Sequence, residues 1–168
     1  VNELRQDIPA LATPLNVLLV LWMVVGRGLF VQMGWMALFG ILASPILLFL
    51  LWLTTRMMRE RGRRPLTSGQ AWAQIVLWAA MLVFGLACVD SGDSPTPFPS
   101  VLMKLLGEGP AMKTVSDVLC AASVFVGIGA WIVLHGKLTK DIAATPPAQQ
   151  PYPYPGYPPG QTGPGPLT

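Results

Sequence analysis

Residues 34–53 read GWMALFGILASPILLFLLWL, twenty positions without a charged side chain. As a helix rising about 1.5 Å per residue, such a run reaches across a hydrocarbon core of about 30 Å. The composition around it points the same way. The chain has 168 residues, 52% of them hydrophobic and only 11% charged. Soluble domains carry about 25% charged residues, so this chain solvates its surface only if lipid covers much of it. The expectation is an all-α integral membrane protein.

Working outward from that run, a preceding apolar stretch at about 12–30 includes PLNVLLVLWMVVGRGLF. It is long enough to span only if Arg27 lies near one end. The two runs are too long together for one span, so they read as a first transmembrane hairpin over 12–54. Its turn falls either at Gly26 to Gly28 or at Gln32 to Gly34. Pro45 is expected to kink the second helix, which neighbouring helices in lipid tolerate. Upstream, residues 1–11 form a short segment in which one arginine faces Glu3 and Asp7. A secretory signal needs a positive n-region before its apolar core, so the first run reads as a retained helix.

Downstream of a basic loop at 55–70, two further spans are expected at about 71–89 and 116–134, a second pair joined by the connection 90–115. Within that connection Ser100 is a candidate N-cap and Gly107 a stop for a short helix, SVLMKLLGEG, lying at the membrane interface. The last stretch, from residue 144, holds nine of the seventeen prolines and all three tyrosines. Proline at this density favours extended polyproline II over helix or sheet. The expectation is four helices in a compact bundle followed by a disordered C-terminal tail within 135–168.

Charge placement orients this scheme. Arg56, Arg59, Arg61, Arg63 and Arg64 crowd the loop between spans two and three, and His135, Lys137 and Lys140 follow span four. Two intervening spans put both segments on one side, and basic flanks accumulate in the cytoplasm. Both termini are therefore expected to be cytoplasmic. The heavy use of alanine, glycine, proline and arginine suggests a high-GC bacterial genome, and so a bacterial inner membrane. Trp52, Trp72 and Trp131 fall near the cytoplasmic ends, Trp22 and Trp35 towards the other side, and Trp78 in mid-span. The five arginines read as topogenic residues whose ligand is the anionic headgroup, at about 1 kcal/mol each. A nucleic-acid role is not expected of so short a juxtamembrane turn.

Packing is expected to run through small residues, because lipid supplies little hydrophobic drive between helices. Ser116, Cys120, Ser123, Gly127 and Ala130 repeat at four, three, four and three, a seam suited to left-handed packing. Such a seam serves packing within one chain or between copies.

Candidate chemistry is sparse. Cys88 and Cys120 are expected at similar depth on the oxidising side, either as a disulfide closing a loop of about 32 residues or as two unpaired thiols acting as small apolar groups. His135 stands alone, without partners for a zinc site, and reads as a residue meeting a helix C-terminus. Asp90 and Asp93 read as part of a solvated turn, and Arg27 as an arginine snorkelling to the headgroups. In the tail, Tyr152, Tyr154, Pro155, Tyr157 and Pro158 form a candidate partner motif with PxxP spacing. No cofactor, metal or catalytic residue is expected.

The leading functional expectation is a small non-enzymatic membrane protein acting as an accessory or scaffold subunit of a larger membrane assembly, of respiratory, secretion or conjugation type. Its partners would be the lipid bilayer and another protein or a second copy. The alternatives are an oligomeric pore, including a phage-type lysis protein, and a thiol-redox membrane protein using Cys88 and Cys120.

Overall fold

A computed structural model describes residues 2–60, 65–93 and 97–144, with the side chains of 2–6 left out. The described residues are helical, in the order α1 (Asn2–Val24), a 3-10 turn (Gly26–Leu29), α2 (Trp35–Glu60), α3 (Ser68–Ala87), α4 (Val101–Leu106) and α5 (Pro110–Ala143). Four of them, α1, α2, α3 and α5, are long and apolar enough to cross a membrane. That length and apolarity suggest a membrane protein.

Each boundary has a local cause. Helix α1 starts ahead of the apolar run that announced it, and Pro9 and Pro14 lie inside it. It ends where glycines at 26 and 28 flank Arg27, and the irregular residues 32–34 complete the reversal. Both sequence positions considered for the turn therefore belong to it. Helix α3 opens on a reciprocal cap, in which Thr67 accepts from the Gln70 amide and Gln70 accepts from the Thr67 amide. The short α4 opens on the Ser100 hydroxyl, which accepts from the Met103 amide, and stops at Gly107 with φ 107°. Only glycine takes that left-handed backbone without strain. Helix α5 starts on Pro110 behind an extended Gly109, the position where a missing N–H costs nothing. It overruns the expected span at both ends.

Helix α3 is the centre of the packing. Half of its apolar window is buried inside the chain, against 11% for α2 and for α5. Helices α3 and α5 share the most extensive contact, and α1 touches both α2 and α3. The α3–α5 pair runs antiparallel: Gly69 faces Lys137, a Cβ on Gly127 would lie 3.5 Å from Ala80, and Gln70 donates to Asp141. On the α1 side the Trp22 indole lies against Gly85, where a Cβ would fall 2.2 Å from its Nε1. That nitrogen donates to the Leu82 carbonyl at 3.3 Å.

Two apolar clusters follow. One joins Ile8, Ala12, Met58, Leu66, Ala71, Ala73, Leu134 and Leu138, and so gathers the start of α1, the end of α2, the start of α3 and the later part of α5. The other, around Leu19, Val20, Leu51, Leu77 and Met81, fills the middle. Between them sits a polar bridge. Asn16 donates to Thr55 at 3.2 Å and accepts from the Trp78 indole at 2.8 Å, tying α1 to α2 and α3. A buried amide satisfied on both sides fixes helix register where apolar contact alone would leave it loose.

Candidate functional site

The end of the molecule opposite the arginine-rich segment holds a buried cluster of charge and sulfur. Arg27, on the 3-10 turn, is 2% exposed and pairs through Nη2 with Asp90 at 2.5 Å, whose own side chain is 1% exposed. Its Nη1 donates to the Cys88 carbonyl at 3.3 Å. The Asp90 carboxylate is the hub: Oδ1 accepts from the Met36 amide at 2.9 Å and from the Ser91 amide at 2.8 Å. Backbone bonds complete the joint, with the Trp35 amide donating to Ser91 O at 2.8 Å and an isolated antiparallel bridge pairing Asp90 with Phe98.

Electrostatics and shape agree on why the pair is tolerated. Burial favours the neutral acid and pushes the Asp90 pKa up. The amides of Gly34, Met36 and Ser91 and the Arg27 guanidinium outweigh it, so the carboxyl sits below its ordinary value and is ionised. Gly34 is required by proximity, since a Cβ there would lie 2.1 Å from Ser91 O. The carboxylate thus locks the turn after α1, the start of α2 and the segment after α3 into one unit.

This overturns two expectations. Arg27 does not reach for headgroups, and Asp90 is not part of a solvated turn, although Asp93 is exposed. The sequence carried a signal for the pair: one positive charge between spans one and two, and one negative charge directly after span three, on the same side.

The sulfurs lie beside this joint. Cys88 caps the end of α3 and is buried, Cys120 lies on α5 and is partly exposed, and both are free thiols. The two thiols are close enough to influence each other, and the Arg27 guanidinium, bonded to the Cys88 carbonyl, lies near the Cys88 thiol. Along the seam of α5, Ser116, Ser123 and Ala130 are buried, Cys120 and Gly127 half-buried. The Ser116 hydroxyl meets that of Ser100 at 2.9 Å, which holds the α4 cap against α5.

The basic end is arranged differently. Arg56 and Arg59 lie on the last turns of α2 and not in a loop. Arg56 pairs with Glu60 at 2.7 Å and lies over the Trp52 ring, both partners well exposed. Arg59 donates to Thr13 at 2.9 Å. Arg61, Arg63 and Arg64 lie outside the described residues, as do Tyr152, Tyr154, Pro155, Tyr157 and Pro158. His135 is not at a helix end, because α5 continues for two more turns, and its ring stacks on Trp131 with centroids 5.2 Å apart. Gln74 is buried with neither end of its amide bonded.

Between α2, α3 and α5 an apolar cleft of about 320 Å³ is lined by residues that include Leu47, Leu50, Met81, Phe84, Gly127 and Trp131. Among the described residues no group of three His, Cys, Asp or Glu side chains is placed to hold a metal ion. No protein-family model, curated protein or solved structure matches the chain.

Proposed function

We propose that this chain is a multi-pass protein of a bacterial cytoplasmic membrane that works by contact, as an accessory or scaffold subunit of a larger membrane assembly. In this reading its four long helices form a compact bundle. The arginine-rich segment and both ends of the chain lie in the cytoplasm, and the Arg27–Asp90 end faces outward. The proline- and tyrosine-rich stretch recruits a partner on the inner side.

The observation that carries the reading is the uneven use of helix faces. Helix α3 is wrapped by its neighbours, while α2 and α5 each keep only 11% of their apolar windows inside the chain. Rows of large side chains, Phe39, Leu42, Ile46 and Phe49 on α2 and Phe125, Ile128 and Ile132 on α5, face outward. Such faces suit lipid and a neighbouring subunit's helices. Helix α5 meets α3 through its buried small residues, so that seam supports packing within the chain better than pairing between copies.

Affinity purification in a mild detergent tests the reading, with and without residues 141–168. A defined partner lost with those residues places recruitment in that stretch, and one that persists places it on the helices. A chain that purifies alone in both forms and causes ion leakage on controlled expression replaces the subunit reading with the pore.

A further inference from the structure

We propose that Cys88 and Cys120 form a redox site, a dithiol oxidised to a disulfide by a membrane-soluble quinone bound in the apolar cleft between α2, α3 and α5. The inference rests on the membrane placement proposed above but not on the subunit role.

Three observations converge. The first is the meeting of the thiols. Cys88 caps α3 and Cys120 lies on α5, and the two thiols are close enough to influence each other. The antiparallel α3–α5 register that sets Gly127 against Ala80, continued by two turns, sets Cys120 against Cys88. The thiols are held by the packing of two helices, and they are unbonded.

The second is the company they keep. The Arg27 guanidinium, anchored by Asp90, donates to the Cys88 carbonyl and lies near its thiol. The guanidinium favours the thiolate, which is the reactive form, while burial and the paired Asp90 carboxylate oppose it. Of the two, Cys88 has the cation and Cys120 the more open surface.

The third is the route of approach. Cys88 is 2% exposed, and Cys120 is partly exposed on α5, with exposed Val124 one turn towards the cleft and the exposed Asp117 carboxylate one turn the other way. The cleft begins one helical turn away, at Phe84 on α3 and Ser123 on α5, the latter donating to the Cys120 carbonyl at 2.7 Å. Its lining is apolar and aromatic. The occupant that fits both the lining and the chemistry is apolar and takes two electrons with two protons, which is a quinone.

The step balances without another reactant. Both S–H bonds break and one S–S bond forms between Cys88 and Cys120. The two electrons and two protons pass to the two carbonyl oxygens of the quinone, which leaves as the quinol. Two external thiols, or one external dithiol, restore the dithiol by two successive exchanges and leave as a disulfide.

The test uses the full chain, purified reduced in detergent and mixed with a short-chain ubiquinone. Quinone loss is followed by its ultraviolet absorbance, and thiols by alkylation and mass spectrometry. The expected result is one quinone reduced per chain, with loss of two hydrogens and of both alkylation sites. Cys88→Ser and Cys120→Ser each abolish it, and wild-type chain alkylated beforehand serves as a control that does not depend on the variants folding. Leu47→Trp fills the cleft from α2, away from the α3–α5 register. It should slow oxidation by quinone at least about tenfold while leaving oxidation by water-soluble diamide unchanged. Thiols that remain alkylatable in excess quinone overturn the proposal. Equal quinone loss with the alkylated chain, or a Leu47→Trp chain as fast as wild type, does so too. Recovery of the chain in the membrane fraction checks the placement separately.

Discussion

The two ends of this molecule use charge in opposite ways. At one end a single arginine and a single aspartate are almost wholly buried, and their bonds reach three separate segments. At the other, arginines lie on the surface of α2, and the pair made by Arg56 has partners more than half exposed. A buried pair is costly to assemble, because both ions leave water, yet removing one partner is costlier still. An exposed pair contributes little in either direction. Charge at the first end therefore determines structure, and charge at the second, in the proposed orientation, marks a side.

The largest effect should come from breaking the buried pair. Asp90→Ala strands the Arg27 guanidinium and releases the Met36 and Ser91 amides, an expected loss of about 3–5 kcal/mol. Thermal unfolding of the detergent-solubilised chain would show it. A double change, Arg27→Met with Asp90→Leu, should recover most of the loss, since an apolar pair needs no partner. Acid should act in the same direction as Asp90→Ala. The Asp90 pKa is depressed in the folded chain, so its contribution is fully present above the ordinary carboxylate value. That contribution fades as the pH falls through the depressed one. Stability that is flat across the acid range in wild type, or equal in wild type and Asp90→Ala at neutral pH, would deny the joint its role.

Next in size is Gly34→Ala. The new methyl group would meet the backbone oxygen of Ser91 at 2.1 Å, so the α1–α2 turn or the segment after α3 must shift. A loss of about 1–3 kcal/mol is expected. Rescue of Gly34→Ala in an Asp90→Ala background would show that the two act on one joint, by the logic of a double-mutant cycle.

How far these features were legible in the sequence depends on their range. The four long helices follow from apolar run length, and the α4 boundaries from Ser100 and Gly107, because each is a local signal. Helix ends proved harder: α2 and α5 extend into charged sequence that apolarity alone would assign to loops. The Arg27–Asp90 pair and the Asn16–Trp78 bond join residues about 60 positions apart. Nothing local in NVLLV or AQIVLWA announces that an amide on one will meet an indole on the other. His135 was misplaced for the same reason, since its setting depends on where α5 stops.

The mid-depth bridge should rank third. Asn16→Leu removes the acceptor of the Trp78 indole and the donor to Thr55. Interhelical hydrogen bonds of this kind average about 0.6 kcal/mol and reach about 1.7. The expected loss lies between those values, read from the same unfolding curves, and Trp78 fluorescence should shift as its indole loses a partner.

The smallest stability effect is expected at the basic end, and it sharpens the contrast most. Arg56→Ala breaks an exposed i,i+4 pair with Glu60 and a ring contact with Trp52 at 5.6 Å. A change within about 0.5 kcal/mol is expected. The same residue acts with Arg59, Arg61, Arg63 and Arg64 in the proposed orientation, where basic charge near the ends of spans matters. Neutralising all five should leave the unfolding temperature nearly unchanged while moving a reporter tag between α2 and α3 towards the outer face. If the five-fold variant instead unfolds as readily as Asp90→Ala and keeps its tag inside, the arginines are structural, and the division of labour between the two ends fails. A position that can be silent in the folded chain and decisive during insertion is expected only where charge is read before folding, by the membrane and not by the protein.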